Sequence, residues 1–402
     1  MLIAALARIV RDVGLAEELA QDALVVALEQ WPVSGVPDNP GAWLMATAKN
    51  RAIDALRRNK LTERKHQELG RQIDSQQGKA MADLEAQVDD DIGDDLLRLV
   101  FTACHPVLST EARIALTLRL VGGLTTEEIA RAFLVPETTI AQRIVRAKRT
   151  LAEKRIPYEV PRGAELAARL SSVLDVIYLI FNEGYTATSG DDWIRPALCE
   201  DALRLGRILA ELAPQEPEVH GLVALMEIQA SRSRARVSAS GHPVLLLDQN
   251  RALWDQLLIH RGLAALDRAE KLGGEPGQYS LQASIAACHA RALTPDATDW
   301  ARIVELYTEL AQLTPSPVVE LNRAVAVAMA FGPAAGLDLV DILTSEKLLE
   351  GYHLLPSVRG DLLSKLGRFE EAQAEFGRAA ALARNSRERD LLLDRAASCG
   401  HQ

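Results

Sequence analysis

No two of the four cysteines stand at a spacing that holds a metal or frames a disulfide. Cys104, Cys199, Cys288 and Cys399 are scattered, without a CxxC or CxxxH pattern. They read as reduced core or surface thiols. Cys104 and His105 are adjacent but lack a second ligand pair, so no metal site and no cofactor is expected. A long hydrophobic run is also missing. The opening segment MLIAALARIV is short and is followed by Arg11 and Asp12, with Arg8 inside it, which excludes a signal peptide and a membrane span and points to the cytoplasm. Positive charge is in deficit: the formal net charge is −10, which argues against a chain that coats nucleic acid throughout.

The 402 residues, 48% of them hydrophobic, suffice for two or three cores. Local charge matters more than the average. Lys49, Arg51, Arg57, Arg58, Lys60, Arg64 and Lys65 form one basic group, and Arg131, Arg143, Arg146, Lys148, Arg149, Lys154 and Arg155 form another, with an acidic run from Asp74 to Asp95 between them.

The second group belongs to TTEEIARAFLVPETTIAQRIVRAKRTL, residues 125–151. Thr125 and Glu128 make a capping box, Pro136 interrupts the apolar pattern, and Ile140, Ile144, Ala147 and Leu151 then mark one buried helical stripe. Thr138, Thr139, Gln142, Arg146 and Arg149 fall on the opposite face, flanked by Arg143 and Lys148. Two short helices with such a face read as a helix-turn-helix whose second helix enters a DNA groove, or as an ordinary helical hairpin with a solvated basic side.

Upstream, LAEELAQDALVVALEQW has an acidic edge (Glu17, Glu18, Asp22, Glu29) beside Leu15, Leu19, Val26 and Leu28, so one face can be buried and the other offered to a partner. After a proline-rich loop comes GAWLMATAKNRAIDALRRNK. Its broad apolar face carries Leu44, Met45, Ala48, Ala52, Ile53, Ala55 and Leu56. Asn50, Arg51, Asp54, Arg57 and Arg58 share the other, on whose side Trp43 projects. Trp43 suits stacking on unpaired bases, or alternatively caps the local core. Residues 60–92 have the composition of a flexible linker. Ser109 is a candidate helix cap, and Gly122-Gly123 ends the helix that follows it.

In that order these segments resemble the extracytoplasmic-function sigma factors of bacterial RNA polymerase, over residues 1 to about 155. The resemblance implies that the Ala16–Trp31 helix docks on the polymerase clamp, through Glu18, Asp22, Glu29 and Trp31. It implies that PGAWLMATAKNRAIDALRR opens and reads the minus-10 element, through Trp43, Asn50, Arg51, Asp54, Arg57 and Arg58. The VPxxTIxxRIxRAK pattern is similar to the minus-35 reader, through Thr138, Thr139, Gln142, Arg143, Arg146, Lys148 and Arg149. Core polymerase (β′ clamp and β flap) and promoter DNA are the implied partners. Members usually carry further residues ahead of the helix that starts here at Leu2, which implies either a truncated first helix or a misassigned start codon.

From Arg162 onward the chain reads as helical and weakly repetitive. Gly360, Gly367, Phe369, Ala372, Phe376 and Ala379, within Pro356–Leu382, resemble the tetratricopeptide spacing, and Asp299–Pro315 and Val318–Gly332 resemble half-repeats. YLIFNEGYTATSGDD and LLLDQNRALWD resemble the domain that ends one group of these sigma factors. Their Asn182, Glu183, Tyr185, Asp248 and Trp254 are candidates for partner contact or structural hydrogen bonding. Glu183 with Asp248 can be imagined as paired catalytic carboxylates, but no nucleophile, metal cluster or phosphate loop accompanies them.

The expectation is therefore an all-α chain: a sigma region 2 domain (1–60), an acidic linker (61–93), a sigma region 4 domain with the helix-turn-helix (94–157) and a helical, tetratricopeptide-like domain (158–402). The expected function is promoter-specific initiation, with no catalysis of its own and with a C-terminal regulatory or protein-interaction domain. Two alternatives are a one-component helix-turn-helix regulator with a helical sensing domain and a protein-binding repeat adaptor.

Overall fold

The structure, a computed structural model, describes residues 2–67, 92–133, 135–161, 164–186, 194–238 and 243–400. The side chains of 54–67, 92–94, 131, 164 and 348 lie outside that description. Among the described residues every regular element is helical, apart from one isolated antiparallel bridge between Val237 and Pro243. The chain divides into two compact units, Met1–Val176 and Ile177–Gln402.

The first unit opens with α1 (Leu2–Val10), α2 (Val13–Ser34) and α3 (Pro40–Gln67). Asp12 accepts the Leu15 N–H at 3.0 Å and starts α2, and Asn39 accepts the Ala42 N–H at 3.0 Å where Pro40 opens α3. The helix break expected near Gly14 thus falls at Arg11-Asp12, because the Asp12 side chain caps before the glycine is reached. Leu6, Ala7, Ala16, Leu19, Ala20, Ala23, Ala48 and Ala52 form the core of this bundle. Alanines on facing stripes let the helices approach closely, but each removes little apolar area from water.

Then come α4 (Ile92–Ala103), α5 (Thr110–Thr117), a π-turn over Leu118–Gly122, α6 (Thr126–Ala132) and α7 (Glu137–Glu153). Ser109 caps α5 by accepting from Ala112 N (3.4 Å), and Gly123, at φ +76°, supplies the left-handed conformation that ends the π-turn. Cys104 is buried against Thr117 Oγ1 at 3.2 Å, and burial pushes its thiol up to about 11, so it is an inert core residue.

Residues 158–161 and 164–176 also pack in the first unit. The Tyr158 hydroxyl lies 2.9 Å from the Ala4 carbonyl oxygen and 2.8 Å from that of Asp95. Early in α8 (Ala164–Tyr185), Arg169 donates to the Phe101 carbonyl (2.7 Å) and the Ser172 hydroxyl to that of Cys104 (2.7 Å). The domain boundary expected at 158 therefore lies inside α8, after Val176.

The second unit takes the rest of α8 and then α9 (Pro196–Leu212), α10 (Pro217–Ala230), α11 (Gln256–Leu272), α12 (Gln278–Arg291), α13 (Trp300–Leu313), α14 (Pro317–Phe331), α15 (Pro333–Leu343), α16 (Leu354–Lys365), α17 (Phe369–Leu382) and α18 (Ser386–Cys399). Consecutive helices pack as pairs, with α10 held by both α11 and α12. The expected Pro356–Leu382 repeat is the α16–α17 hairpin. A Cβ on Gly360 would stand 3.0 Å from the Phe376 ring, so the glycine is what lets the fully buried phenylalanine sit between the helices. Trp300 and Phe369 each begin a helix, α13 and α17.

Candidate nucleic-acid interface

Within α6 and α7 local chemistry and packing agree. The Thr125 N–H donates to the Glu128 carboxylate at 2.7 Å and the Glu128 N–H to Thr125 Oγ1 at 3.1 Å, the reciprocal capping box. Pro136 precedes the first turn of α7, where the loss of its N–H costs nothing. Ile140, Ile144, Ala147 and Leu151 are all buried, which fixes the rotation of the helix and turns the other face outward.

That outward face carries Thr138, Gln142, Arg146 and Arg149, all exposed, with Thr139 and Arg143 half-buried at its edge. Val145, 63% exposed, adds an apolar contact between them. Arg149 is paired with Glu153 at 2.6 Å, whereas Gln142 and Arg146 have no side-chain partner among the described residues and are free to meet base edges or phosphates. Lys148 differs from its neighbours: it is ion-paired with Glu17 of α2, whose carboxylate also accepts from Arg119 at 2.8 Å. Glu17 was expected on a solvated acidic edge and is instead buried, 4% exposed, because the helix α2 turns it towards these two cations.

On α3, Ala48 and Ala52 are fully buried while Leu44, Met45 and Ile53 are half-buried, as the apolar face requires. Asn50 is exposed; Arg51 is tied to Asp22 at 2.6 Å across the gap between α3 and α2. Asp54, Arg57 and Arg58 continue the same helix, and their side chains lie outside the described residues. Trp43 is half-buried and packs edge-on against Trp31, with ring centroids 5.5 Å apart. Each tryptophan thus supports the other at the α2–α3 corner.

The outward face of α2 presents Glu18, Asp22 and Glu29 together with exposed apolar side chains, Leu24 (47%), Val25 (52%) and Leu28 (75%). Leu28 was expected beside the acidic edge in the apolar series. It lies instead at the surface, so the face that the helix leaves open is both acidic and apolar.

In the C-terminal unit, Glu183 is ion-paired with Arg195, and Asp248 is exposed on a short turn without a side-chain partner among the described residues, so the two carboxylates do not form a pair. Asn182 is half-buried. The Tyr185 ring stacks on Phe181 at 5.6 Å and carries the Arg236 guanidinium at 3.6 Å. Trp254, 4% exposed, lies under Arg251 at 4.8 Å and near Arg232 at 5.8 Å. The arginines were not singled out by sequence reasoning; SRSRARVS at 231–238 shows Arg232 and Arg236 in one cluster, but nothing in its spacing tells which aromatic rings they meet, and Arg251 lies outside it.

The comparisons with known proteins follow the same division. Residues 1–62 match the model for sigma-70 region 2 and residues 98–151 that for sigma-70 region 4, while residues 169–270 match a family of unknown function, DUF6596, rather than a named repeat family. An uncharacterized protein of Rhizobium meliloti is 46% identical over 96% of this chain and 90% of its own length. The ECF RNA polymerase sigma factor SigK of Mycobacterium ulcerans is 32% identical over 36% of this chain and 74% of its own length, and that of Mycobacterium tuberculosis is 30% identical over a similar span. With both promoter-reading regions matched in order, and the helix-turn-helix built as described, the chain belongs to the extracytoplasmic-function sigma factors of the sigma-70 family.

Proposed function

We propose that this sigma factor binds core RNA polymerase and directs initiation at promoters read in two places. α2 docks on the β′ clamp through its exposed leucines and acidic rim, α3 engages the separated minus-10 strand, and α7 anchors in the minus-35 major groove while the region 4 domain meets the β flap. The observation that carries the reading is the outward face of α7, on which Gln142 and Arg146 stand exposed, without a side-chain partner among the described residues, opposite a buried stripe. The protein acts in the cytoplasm; among the described residues no helix is long and apolar enough to cross a membrane. Nucleotide addition belongs to the polymerase, so the chain needs no active site.

The alternative of a one-component regulator leaves α3 and the exposed face of α2 without a task. A footprint of core polymerase with the purified chain tests the proposal. Protection of two separated promoter elements, with duplex contacts at the upstream one, is expected; protection of a single operator by the chain alone would overturn it.

The C-terminal domain is proposed to regulate or support this activity. Because Arg169 and Ser172 hold region 4 helices, a truncation at 160 strips part of the first unit, and one after Tyr185 spares it. Unchanged promoter output after truncation at 185 would sink the regulatory role.

A further inference from the structure

The C-terminal unit holds a half-open cavity of about 330 Å³ between α10, α12, α13 and α14, close to the lower end of the range for small-molecule pockets, roughly 300–1,000 Å³. We propose that this cavity binds a small ligand bearing a carboxylate, held by Arg232 and a wall of carboxamides. The proposal goes beyond promoter reading and stands on this unit alone.

Charge is the first reason. Arg232 lines the cavity, and among the described residues no aspartate or glutamate does. Its guanidinium lies 5.8 Å from the rings of both Tyr185 and Trp254, its Nε is buried without a hydrogen-bond partner, and it makes no ion pair among the described residues. Among the described residues its neighbour Arg251 donates only to oxygens of uncharged groups, the carbonyls of His289 and Ala292 at 2.6 Å and Thr298 Oγ1 at 3.3 Å. The Arg232 side chain is half-buried with its Nε shut away from water, and a bound carboxylate would give it a counter-anion through a bidentate contact.

His289 supplies the second reason. It is 8% exposed, lines the same cavity, and its Nδ1 is buried without a partner. Burial, reinforced by Arg232 and Arg251, holds its pKa down at about 4, so near neutral pH it is an uncharged imidazole able to donate or accept one bond at Nδ1.

The rest of the lining sets the ligand class. Gln229, Gln278, Gln282 and Asn322 present carboxamides, and Gln282 is oriented by the Tyr178 hydroxyl, which donates to its Oε1 at 2.9 Å. Amides pair with amides. One arginine fork among neutral donors matches a monoanionic carboxylate better than a phosphate, which calls for more positive charge. Ile285, Leu310 and Val319 leave room for a small apolar body. The carboxylate can come from a free acid or from the end of a peptide.

The test uses the full chain and follows the indole N–H resonances of Trp254 and Trp300, the latter 5.1 Å from the His289 ring. The probes are glutarate, N-acetyl-Ala-Ala, its C-terminal amide, a pentapeptide ending in Ala-Ala, and inorganic phosphate. Saturable shifts of these two resonances with the carboxylates are expected, with the amide and phosphate at least about tenfold weaker. Tighter binding of the short acids than of the pentapeptide identifies a free acid, and the reverse a chain end. Arg232→Gln should abolish the shifts. Asn322→Leu, at an exposed position, should weaken them without altering the fold. The proposal is overturned if no carboxylate gives a saturable shift, if the amide or phosphate binds as well, or if folded N322L and R232Q both bind like the parent.

Discussion

Glu17 and Lys148 form an ion pair that joins α2 to the DNA-facing helix α7, and the same carboxylate holds Arg119 at 2.8 Å. The side chains of Arg119 and Lys148 are each 23% exposed while that of Glu17 is 6% exposed. The acid is thus the buried centre of a three-residue network between region 2 and region 4. In this arrangement one of the cations expected at the minus-35 element is occupied within the protein.

Glu17→Gln should therefore loosen the junction, costing about 1–3 kcal/mol, since two partly buried cations lose their common acceptor. It should also release Lys148 for phosphate. Denaturant unfolding measures the first effect. Binding of the free chain to a minus-35 duplex measures the second, with tighter binding and a salt slope steeper by about one unit expected.

Arg146→Ala and Gln142→Ala should separate affinity from sequence reading. An arginine placed bidentate on guanine is worth about 1–3 kcal/mol of discrimination. The expected outcome for Arg146 is that loss at the native promoter far exceeds loss at a promoter altered at the contacted base. A uniform loss across templates would make it a phosphate contact instead.

Leu28→Glu tests α2. The side chain is 75% exposed, so folding stability should change by no more than about 0.5 kcal/mol. Affinity for core polymerase, measured by fluorescence anisotropy, should fall at least about tenfold if the leucine is buried on the clamp.

Protonation of His289 should make the C-terminal unit acid-sensitive. Its pKa is about 4 folded and 6.5 ordinarily, so below pH 6.5 the unfolded chain takes up a proton that the folded chain refuses. The stability is fully present above 6.5 and is lost as pH falls from 6.5 towards 4, by up to ~3 kcal/mol. His289→Phe should flatten this segment of the curve in urea melts at pH 7 and pH 4.5, relative to the parent.

Much of this was legible in the residues. The Thr125–Glu128 box and the 140, 144, 147, 151 stripe fix the start and rotation of their helices by local chemistry, and the structure keeps both. The Pro356–Leu382 hairpin was legible for the same reason: Gly360 and Phe376 are complementary within one short segment. What escaped is long-range. Nothing near Glu17 in sequence marks it as the partner of Arg119 and Lys148, more than a hundred residues away, and periodicity alone did not show that Leu28 would remain at the surface. Arg232, Arg251 and His289 meet only after α10 and α12 are packed.

The most direct measurement is run-off transcription with purified core polymerase, the full chain and its own promoter as template, with no other sigma factor present. The account predicts a transcript with a single defined start, lost when Arg146 and Gln142 are both replaced by alanine. Absence of that transcript, from core polymerase that initiates normally with another sigma factor on that factor's promoter, would contradict it.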